Sequence, residues 1–194
     1  CLCCWLSTPT RSLDTRHDGA SRENPDGHDA RADPDRKTAK QLLMTREELQ
    51  SKISEIAPAA TAIEGGEWLN MEVTPADWKN LAMLMRHTQG LDMDYLFCLT
   101  CVDWKTHLTM VYHLTSTTHR QTVVFKVKLD RVQPEVDTVC DIWRTAEFHE
   151  REVFELFGVD FKGHPDLRKL ILPDDWQGFP LRKDYEDPIN MIKL

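Results

Sequence analysis

An acidic amphipathic segment followed at once by a basic, proline-interrupted one is the feature that most constrains the fold. Apolar residues recur at helical spacing from Asp141 to Phe157, and Gly158 follows where a helix needs a left-handed residue to end. This pattern predicts a helix over residues 141–157. Its four glutamates predict a mostly acidic exposed surface on that helix: Glu147, Glu150, Glu152 and Glu155.

The segment after this helix is predicted to be extended. Residues 162–183 hold five Lys or Arg against three Asp, and Pro165, Pro173 and Pro180 each disfavour helix. An irregular chain must bond its backbone groups to another surface. The segment also carries too many apolar residues to leave in water: Phe161, Leu167, Leu170, Ile171, Leu172, Trp176, Phe179 and Leu181. Residues 161–194 are therefore predicted to be a C-terminal interaction tail that docks on a partner.

Two further helices are predicted upstream. Thr45 and Glu48 form a capping-box pattern that opens a helix reaching Ile56. Thr74-Pro opens a second helix that ends by Gly90. The inward positions of the second helix follow three- and four-residue spacing: Trp78, Leu81, Leu84 and Met85.

The region between these helices and the acidic one predicts β-strands. Four segments have strand composition: Glu67–Val73, Tyr95–Val102, His107–Leu114 and Thr122–Leu129. In the last one, apolar residues alternate with Lys126 and Lys128. Helices, an antiparallel meander and a closing helix predict an α+β domain over residues 41–160, with helices packed on one face of a mainly antiparallel sheet.

Composition narrows the function classes. A chain of 194 residues with 41% hydrophobic content is sufficient for one domain. A net charge of −8 argues against nucleic acid as the main partner, because phosphate binding favours a basic surface. Residues 1–40 are predicted to be disordered, since between 7 and 40 Leu13 is the only aliphatic residue besides alanine. The acids in that segment argue against a mitochondrial transit peptide.

Cofactor motifs are absent from the sequence. There is no Gly-x-Gly-x-x-Gly or Walker loop for a nucleotide and no four-cysteine iron–sulfur spacing. Cys98 and Cys101 fall three apart on a predicted strand, so they point to opposite faces and are predicted to be core residues. His149, Glu150, Glu152, Glu155 and His164 offer metal ligands, yet none forms a one-turn His-Glu-x-x-His pair. Ion pairing around Arg151 is the preferred interpretation of this group.

The acidic helix and the tail also carry a family resemblance. Glu150-Arg-Glu152, Glu155-Leu-Phe157, then six residues, His164, three residues, Arg168, one residue and Leu170-Ile171 resemble the signature of the NuoC-type 30 kDa subunit of respiratory complex I. The later Leu-Pro-Asp-Asp-Trp-x-Gly-x-Pro-Leu-Arg-Lys-Asp-Tyr is similar to that family's C-terminal region. The resemblance covers about residues 45–188, and Phe179 departs from it where many members carry His.

The resemblance implies a cofactor-free subunit of the peripheral arm of proton-translocating NADH:quinone oxidoreductase, without independent activity. FMN and iron–sulfur clusters would belong to partner subunits, and the NuoD-type 49 kDa subunit and other hydrophilic-arm subunits would be its partners. The complex alone would attach it to the membrane, on the cytoplasmic side of a bacterial inner membrane or the matrix side of a mitochondrial one. The candidate partner-binding residues are Glu150, Arg151, Glu152, His164, Arg168, Trp176, Arg182, Lys183 and Asp184.

Two alternatives stay open. A homologous subunit of a membrane-bound hydrogenase or another complex I-like enzyme would share the same signature. A stand-alone metal-dependent hydrolase would use the Glu and His residues of the acidic helix instead.

Overall fold

The computed structural model of the chain describes residues 44–187. The first elements are α1 (Arg46–Ile56), β1 (Thr61–Ile63), β2 (Leu69–Val73) and α2 (Pro75–His87). Three long strands follow: β3 (Tyr95–Asp103), β4 (His107–Ser116) and β5 (Gln121–Asp130). The last elements are β6 (Glu135–Asp137), α3 (Ala146–Phe157) and β7 (Asp160–Lys162). The segment 1–40 predicted to be disordered and the end of the predicted tail, 188–194, lie outside the described residues.

Five of the described strands form one sheet in the order β1-β2-β5-β4-β3. Strands β3, β4 and β5 pair antiparallel with their neighbours in chain order, which is the predicted meander. Strand β2 pairs with β5 in parallel, with Leu69 opposite Val123, and β1 is antiparallel to β2. The prediction of a mainly antiparallel sheet is confirmed, although the parallel pair was not predicted.

The core lies on one face of this sheet. Every second residue of β4 is fully buried, from Leu108 through Met110 and Tyr112 to Leu114. The Trp78 ring of α2 packs on Tyr112 with ring centroids 4.1 Å apart. Helix α3 joins the same apolar cluster through buried residues that include Ala146, Val153 and Phe157. The predicted packing of helices on one face is confirmed.

The starts of α1 and α2 follow their capping residues. The Thr45 hydroxyl accepts the N–H of Glu48 at 3.3 Å, and the Glu48 carboxylate accepts the N–H of Thr45 at 2.9 Å, so the predicted capping box is present. In α2, Leu84 was predicted to point inward, but it is 43% exposed, and Ala82 is buried instead. Within residues 44–187, no helix is both long and apolar enough to cross a membrane.

Helix α3 begins at Ala146, five residues later than the predicted Asp141. Two side chains that lie just before α3 in the sequence bond to the loop that leads into β3 and to β3 itself. The Trp143 indole N–H donates to the Met93 carbonyl at 2.9 Å, and the Thr145 hydroxyl donates to the Leu96 carbonyl at 2.7 Å. These tertiary contacts hold residues 140–145 in turns, which the apolar spacing alone could not reveal.

Strands β6 and β7 pair in parallel and bracket α3. Neither was predicted, because three residues are too few for an alternating pattern to register. Phe161 in β7 is only 2% exposed and belongs to the core. The predicted tail therefore starts from a residue that is part of the domain.

Candidate partner-binding surface

The tail lies against its own domain as far as Asp184. It was predicted to bond its backbone groups to a partner, but α3 supplies the first set of bonds. The Arg151 guanidinium donates to the carbonyl oxygens of Arg168 and Lys169, each at 3.0 Å. Arg151 is only 7% exposed, so its charge is directed at peptide groups. Ion pairs were predicted for Arg151, but within residues 44–187 it bonds to peptide oxygens instead.

Glu155, one turn further along α3, binds the next residues of the tail. Its carboxylate accepts the N–H groups of Leu170 at 2.8 Å, of Ile171 at 3.0 Å and of Leu172 at 3.0 Å. Consecutive N–H groups converging on one anion form a backbone nest, here around a carboxylate whose residue is 2% exposed. The predicted acidic surface of the helix is wrong at this residue, because its acid faces the tail.

The C-terminal end of α3 makes a second attachment. Gly158 ends the helix at φ +72°, and a Cβ built there would collide with the ring of Phe179. The N–H of Leu181 donates to the Leu156 carbonyl at 3.1 Å, and the Arg182 guanidinium donates to the Phe157 carbonyl at 2.6 Å. These bonds satisfy carbonyl groups that every helix leaves free at its last turn.

A third attachment lies after β5, where Arg131 bridges two carboxylates. Its guanidinium binds Asp103 at 2.9 Å and 3.1 Å and Asp184 at 2.7 Å and 3.1 Å. Asp103 also accepts the N–H of Lys183 at 2.9 Å. The hydrogen bonds from Arg131 hold the pKa of the Asp103 carboxyl well below its usual range. This arrangement ties Lys183 and Asp184 of the tail to the sheet.

Glu150 is fully buried and faces the interior of the domain. Its carboxylate accepts the Thr138 hydroxyl at 2.5 Å and the N–H of Val139 at 2.8 Å. Burial raises the pKa of Glu150 to about 7, while these two hydrogen bonds oppose the shift. The predicted acidic surface is therefore wrong at this residue as well, and its acid links α3 to the residues that follow β6.

His164 and Cys140 complete a buried cluster around Glu150. Within residues 44–187, these three side chains place possible ligand atoms within 4.8 Å of one another. However, His164 Nδ1 accepts the N–H of Asp166 at 3.1 Å, so its hydrogen lies on Nε2, which is 3.2 Å from the Glu147 carbonyl. A metal would need the lone pair of that nitrogen. The geometry therefore favours a hydrogen-bonded core cluster over a metal site.

The remaining predicted residues lie on α3 or along the tail. Glu152 is half-buried, and the exposed Arg168 donates to the Asp166 carboxylate at 2.9 Å. The Trp176 carbonyl accepts the Lys169 ammonium at 2.8 Å, within a turn whose other carbonyl oxygens bind the same ammonium. Partner binding remains a prediction for all nine candidate residues.

Sequence reasoning missed several side chains that organise this region: Asp103, Arg131, Glu155 and Lys169. The four-residue spacing of Arg151 and Glu155 was the available signal, since it places both on one side of the helix. Nothing in the sequence indicated that Arg131 would meet Asp184, 53 residues later.

Residues 71–188 match the sequence profile of the family described as the 30 Kd subunit of respiratory-chain NADH dehydrogenase. The chain belongs to this family. The matched range contains α3, all three attachments and the tail as far as residue 188, so the family resemblance of the signature residues is confirmed.

Relatives extend the match. The NADH-quinone oxidoreductase C subunit of Chlorobium phaeobacteroides is 38% identical over 154 residues, covering 76% of this chain and 90% of the relative. The C subunit of Chloroherpeton thalassium is 41% identical over 111 residues, covering 56% of this chain and 46% of the relative. The C/D subunit of Phocaeicola vulgatus is 45% identical over 113 residues, covering 57% of this chain and 22% of the relative. The chain thus spans less than half the length of the last two relatives.

Two solved structures share the fold. A chain of the membrane-bound sulfane sulfur reductase, an archaeal respiratory membrane complex, aligns with a TM-score of 0.61 and 28% identity, covering 72% of this chain and 85% of that one. A trypsin-resistant fragment of Nqo5, residues 1–134, aligns with a TM-score of 0.54 and 26% identity, covering 63% of this chain and all of the fragment.

Proposed function

We propose that the chain is a cofactor-free subunit of the peripheral arm of proton-translocating NADH:quinone oxidoreductase. It docks the 49 kDa subunit, and electrons pass from NADH to quinone through FMN and iron–sulfur clusters held by neighbouring subunits. The observation that carries this proposal is the tail, which is fixed at three places yet leaves large apolar side chains in solvent. These are Leu170, Ile171, Phe179 and Leu181, between 37% and 66% exposed.

The names of the relatives support the choice of partner. In Phocaeicola vulgatus the matching region belongs to a protein named as the combined C/D subunit of NADH-quinone oxidoreductase. A fused name of this kind indicates that the C part and a D part work side by side in that protein. For this chain we propose the same neighbour, as a separate or a joined polypeptide.

A peripheral place on the cytoplasmic side of a bacterial inner membrane follows from the same proposal. The relatives described above as C subunits are bacterial, which supports this side over the mitochondrial matrix. Membrane attachment would come from the other subunits of the complex.

A second candidate is a homologous subunit of another respiratory complex. The alignment with a chain of the archaeal sulfane sulfur reductase complex favours it, because that chain has the same fold at 28% identity. In that case the docking surface would be kept and the electron donor would differ.

Native co-purification tests the proposal. The full chain, tagged in its own host and purified from solubilised membranes, is expected to bring down a D-type subunit with NADH:quinone reductase activity. Capture of reductase subunits that use another electron donor would support the second candidate. Stoichiometric zinc, iron or manganese together with hydrolase activity in the purified chain alone would overturn both.

A further inference from the structure

Five consecutive residues of the tail, 168–172, are held by two side chains one turn apart on α3. Arg151 donates to the first two carbonyl oxygens, and Glu155 accepts the next three N–H groups. Both side chains belong to residues no more than 7% exposed. Burying two charges is costly unless strong directional bonds repay it, and here those bonds are all made to one short segment. The segment is therefore held in a single conformation.

This conformation keeps two aliphatic side chains in solvent. Leu170 is 40% exposed and Ile171 is 66% exposed. Phe148, on the same side of α3 as Arg151, is 57% exposed, and its ring centroid lies 5.8 Å from the guanidinium carbon of Arg151. We name these three residues the apolar ridge: Phe148, Leu170 and Ile171. Arg151 contacts both the Phe148 ring and the backbone of residues 168 and 169, and exposed apolar groups on a surface of fixed shape are typical of an interaction site.

The chemistry of the ridge limits how a partner can bind it. The N–H groups of 170–172 and the carbonyl oxygens of 168 and 169 already bond to α3, so a partner cannot recognise them by adding a β-strand. Branched aliphatic and aromatic side chains remain for recognition. Such a surface fits an apolar groove, where rigid anchors fill pockets without losing further conformational freedom.

We infer that Arg151 and Glu155 preorganise residues 168–172 so that the apolar ridge inserts into an apolar groove of the D-type subunit. This inference rests on the proposed function and specifies its contact. The D-type subunit is the occupant because the region that matches this chain is part of a protein named C/D in Phocaeicola vulgatus. The two buried charges fix the conformation of the tail, and the apolar side chains of the ridge contact the partner.

The direct test measures binding of the full chain to the purified D-type subunit by titration calorimetry. Ile171→Ser is expected to raise the Kd roughly tenfold or more, because a central anchor loses its apolar contact. The matched control is Met83→Ser on α2, where the side chain is 47% exposed and lies outside the ridge. Its Kd is expected to equal that of the wild type. An unchanged Kd for Ile171→Ser would overturn the inference.

A second variant tests preorganisation. Glu155→Gln removes the charge that holds three N–H groups, so hydrogen exchange of residues 170–172 in the free chain is expected to accelerate, with exchange in β4 and β5 unchanged. Its Kd is expected to rise as well, through the added cost of ordering the segment. Faster exchange at 170–172 with an unchanged Kd would show that the contacts are structural only, and it would overturn the role given to Glu155.

The outcomes separate the inference from the proposed function. If the wild-type chain does not bind the D-type subunit, the proposed function fails. If it binds, and neither variant changes the Kd, docking stands and the ridge is excluded. If Ile171→Ser instead abolishes self-association of the free chain, seen by sedimentation, a second copy occupies the ridge and the inference is wrong.

Discussion

The helix-covered face of the sheet and the region between α3 and the tail are stabilised by different forces. On the sheet, large apolar side chains such as Trp78 and Phe125 are fully buried. At α3, buried Arg151 and Glu155 bond to peptide groups of a segment in which Leu170 and Ile171 stay exposed. Apolar burial supplies most of the free energy of folding, whereas directional bonds to charges fix one conformation. The core therefore supplies most of the stability of the domain, whereas the bonds from α3 determine the conformation of the tail.

The largest expected effect is on the core. Trp78→Ala removes a fully buried ring whose centroid lies 4.1 Å from that of Tyr112, so we expect a loss of about 3–5 kcal/mol in the free energy of unfolding. Urea titration followed by circular dichroism measures it. Trp104→Ala is the control, since that ring is 57% exposed, and a loss of less than about 1 kcal/mol is expected there. Equal losses would remove the distinction between core and surface.

A pH series tests the charged region next. The folded pKa of Glu150 is about 7 against an ordinary value of 4.5, so the folded state holds this proton more tightly. The stabilising contribution is complete below pH 4.5 and is lost as the pH rises through about 7. We expect a decrease on the order of 3 kcal/mol in the free energy of unfolding from this group.

The matched variant for that series is Glu150→Gln, which cannot ionise. Its free energy of unfolding is expected to depend less on pH over the same interval than that of the wild type, measured by urea titration at each pH. Parallel pH curves for the two proteins would show that Glu150 ionises normally, in spite of its burial.

A smaller effect is expected at the junction of the helix and the tail. Gly158→Ala places a Cβ against the Phe179 ring and forces alanine to φ +72°, so we expect a loss of about 1–3 kcal/mol. The double variant Gly158→Ala with Phe179→Ala separates the two causes. If the collision matters, the double variant loses less than the sum of the single losses; full additivity would leave only the backbone strain.

The smallest effect is expected at an exposed ion pair. Lys128 binds Glu72 at 2.7 Å across β5 and β2, and the Lys128 side chain is 56% exposed. Lys128→Ala is expected to change the free energy of unfolding by less than about 1 kcal/mol, because solvent screens such pairs. Thermal unfolding at low and at high salt measures it. A larger, salt-sensitive loss would mean that charges also stabilise the sheet.

Local sequence patterns predicted most of the sheet and of the helices that cover it. The capping residues Thr45 and Thr74 marked both early helices, and the alternation in β5 revealed its buried face. These signals act between residues close in sequence, so a single sequence contains them. The parallel pairing of β2 with β5 has no such local signal, because it depends on how the chain returns after α2.

The contacts between α3 and the tail were predicted less completely. Acidic residues are normally exposed, so Glu150 and Glu155 were assigned to the surface of the helix. Their burial depends on Thr138, Val139 and the N–H groups of 170–172, which come close only in the folded chain. The signature contained Arg151 and Glu155, but it did not reveal the groups to which they bond.

The parallel pair of β2 and β5 also has a consequence for the order of folding. Hairpins between β3, β4 and β5 join neighbouring segments, whereas pairing Leu69 with Val123 closes a loop of roughly fifty residues. We therefore expect the meander to form first, with the outer edge of β5 unpaired until β2 arrives. During synthesis or refolding, that temporary edge would be the place where two chains could wrongly associate.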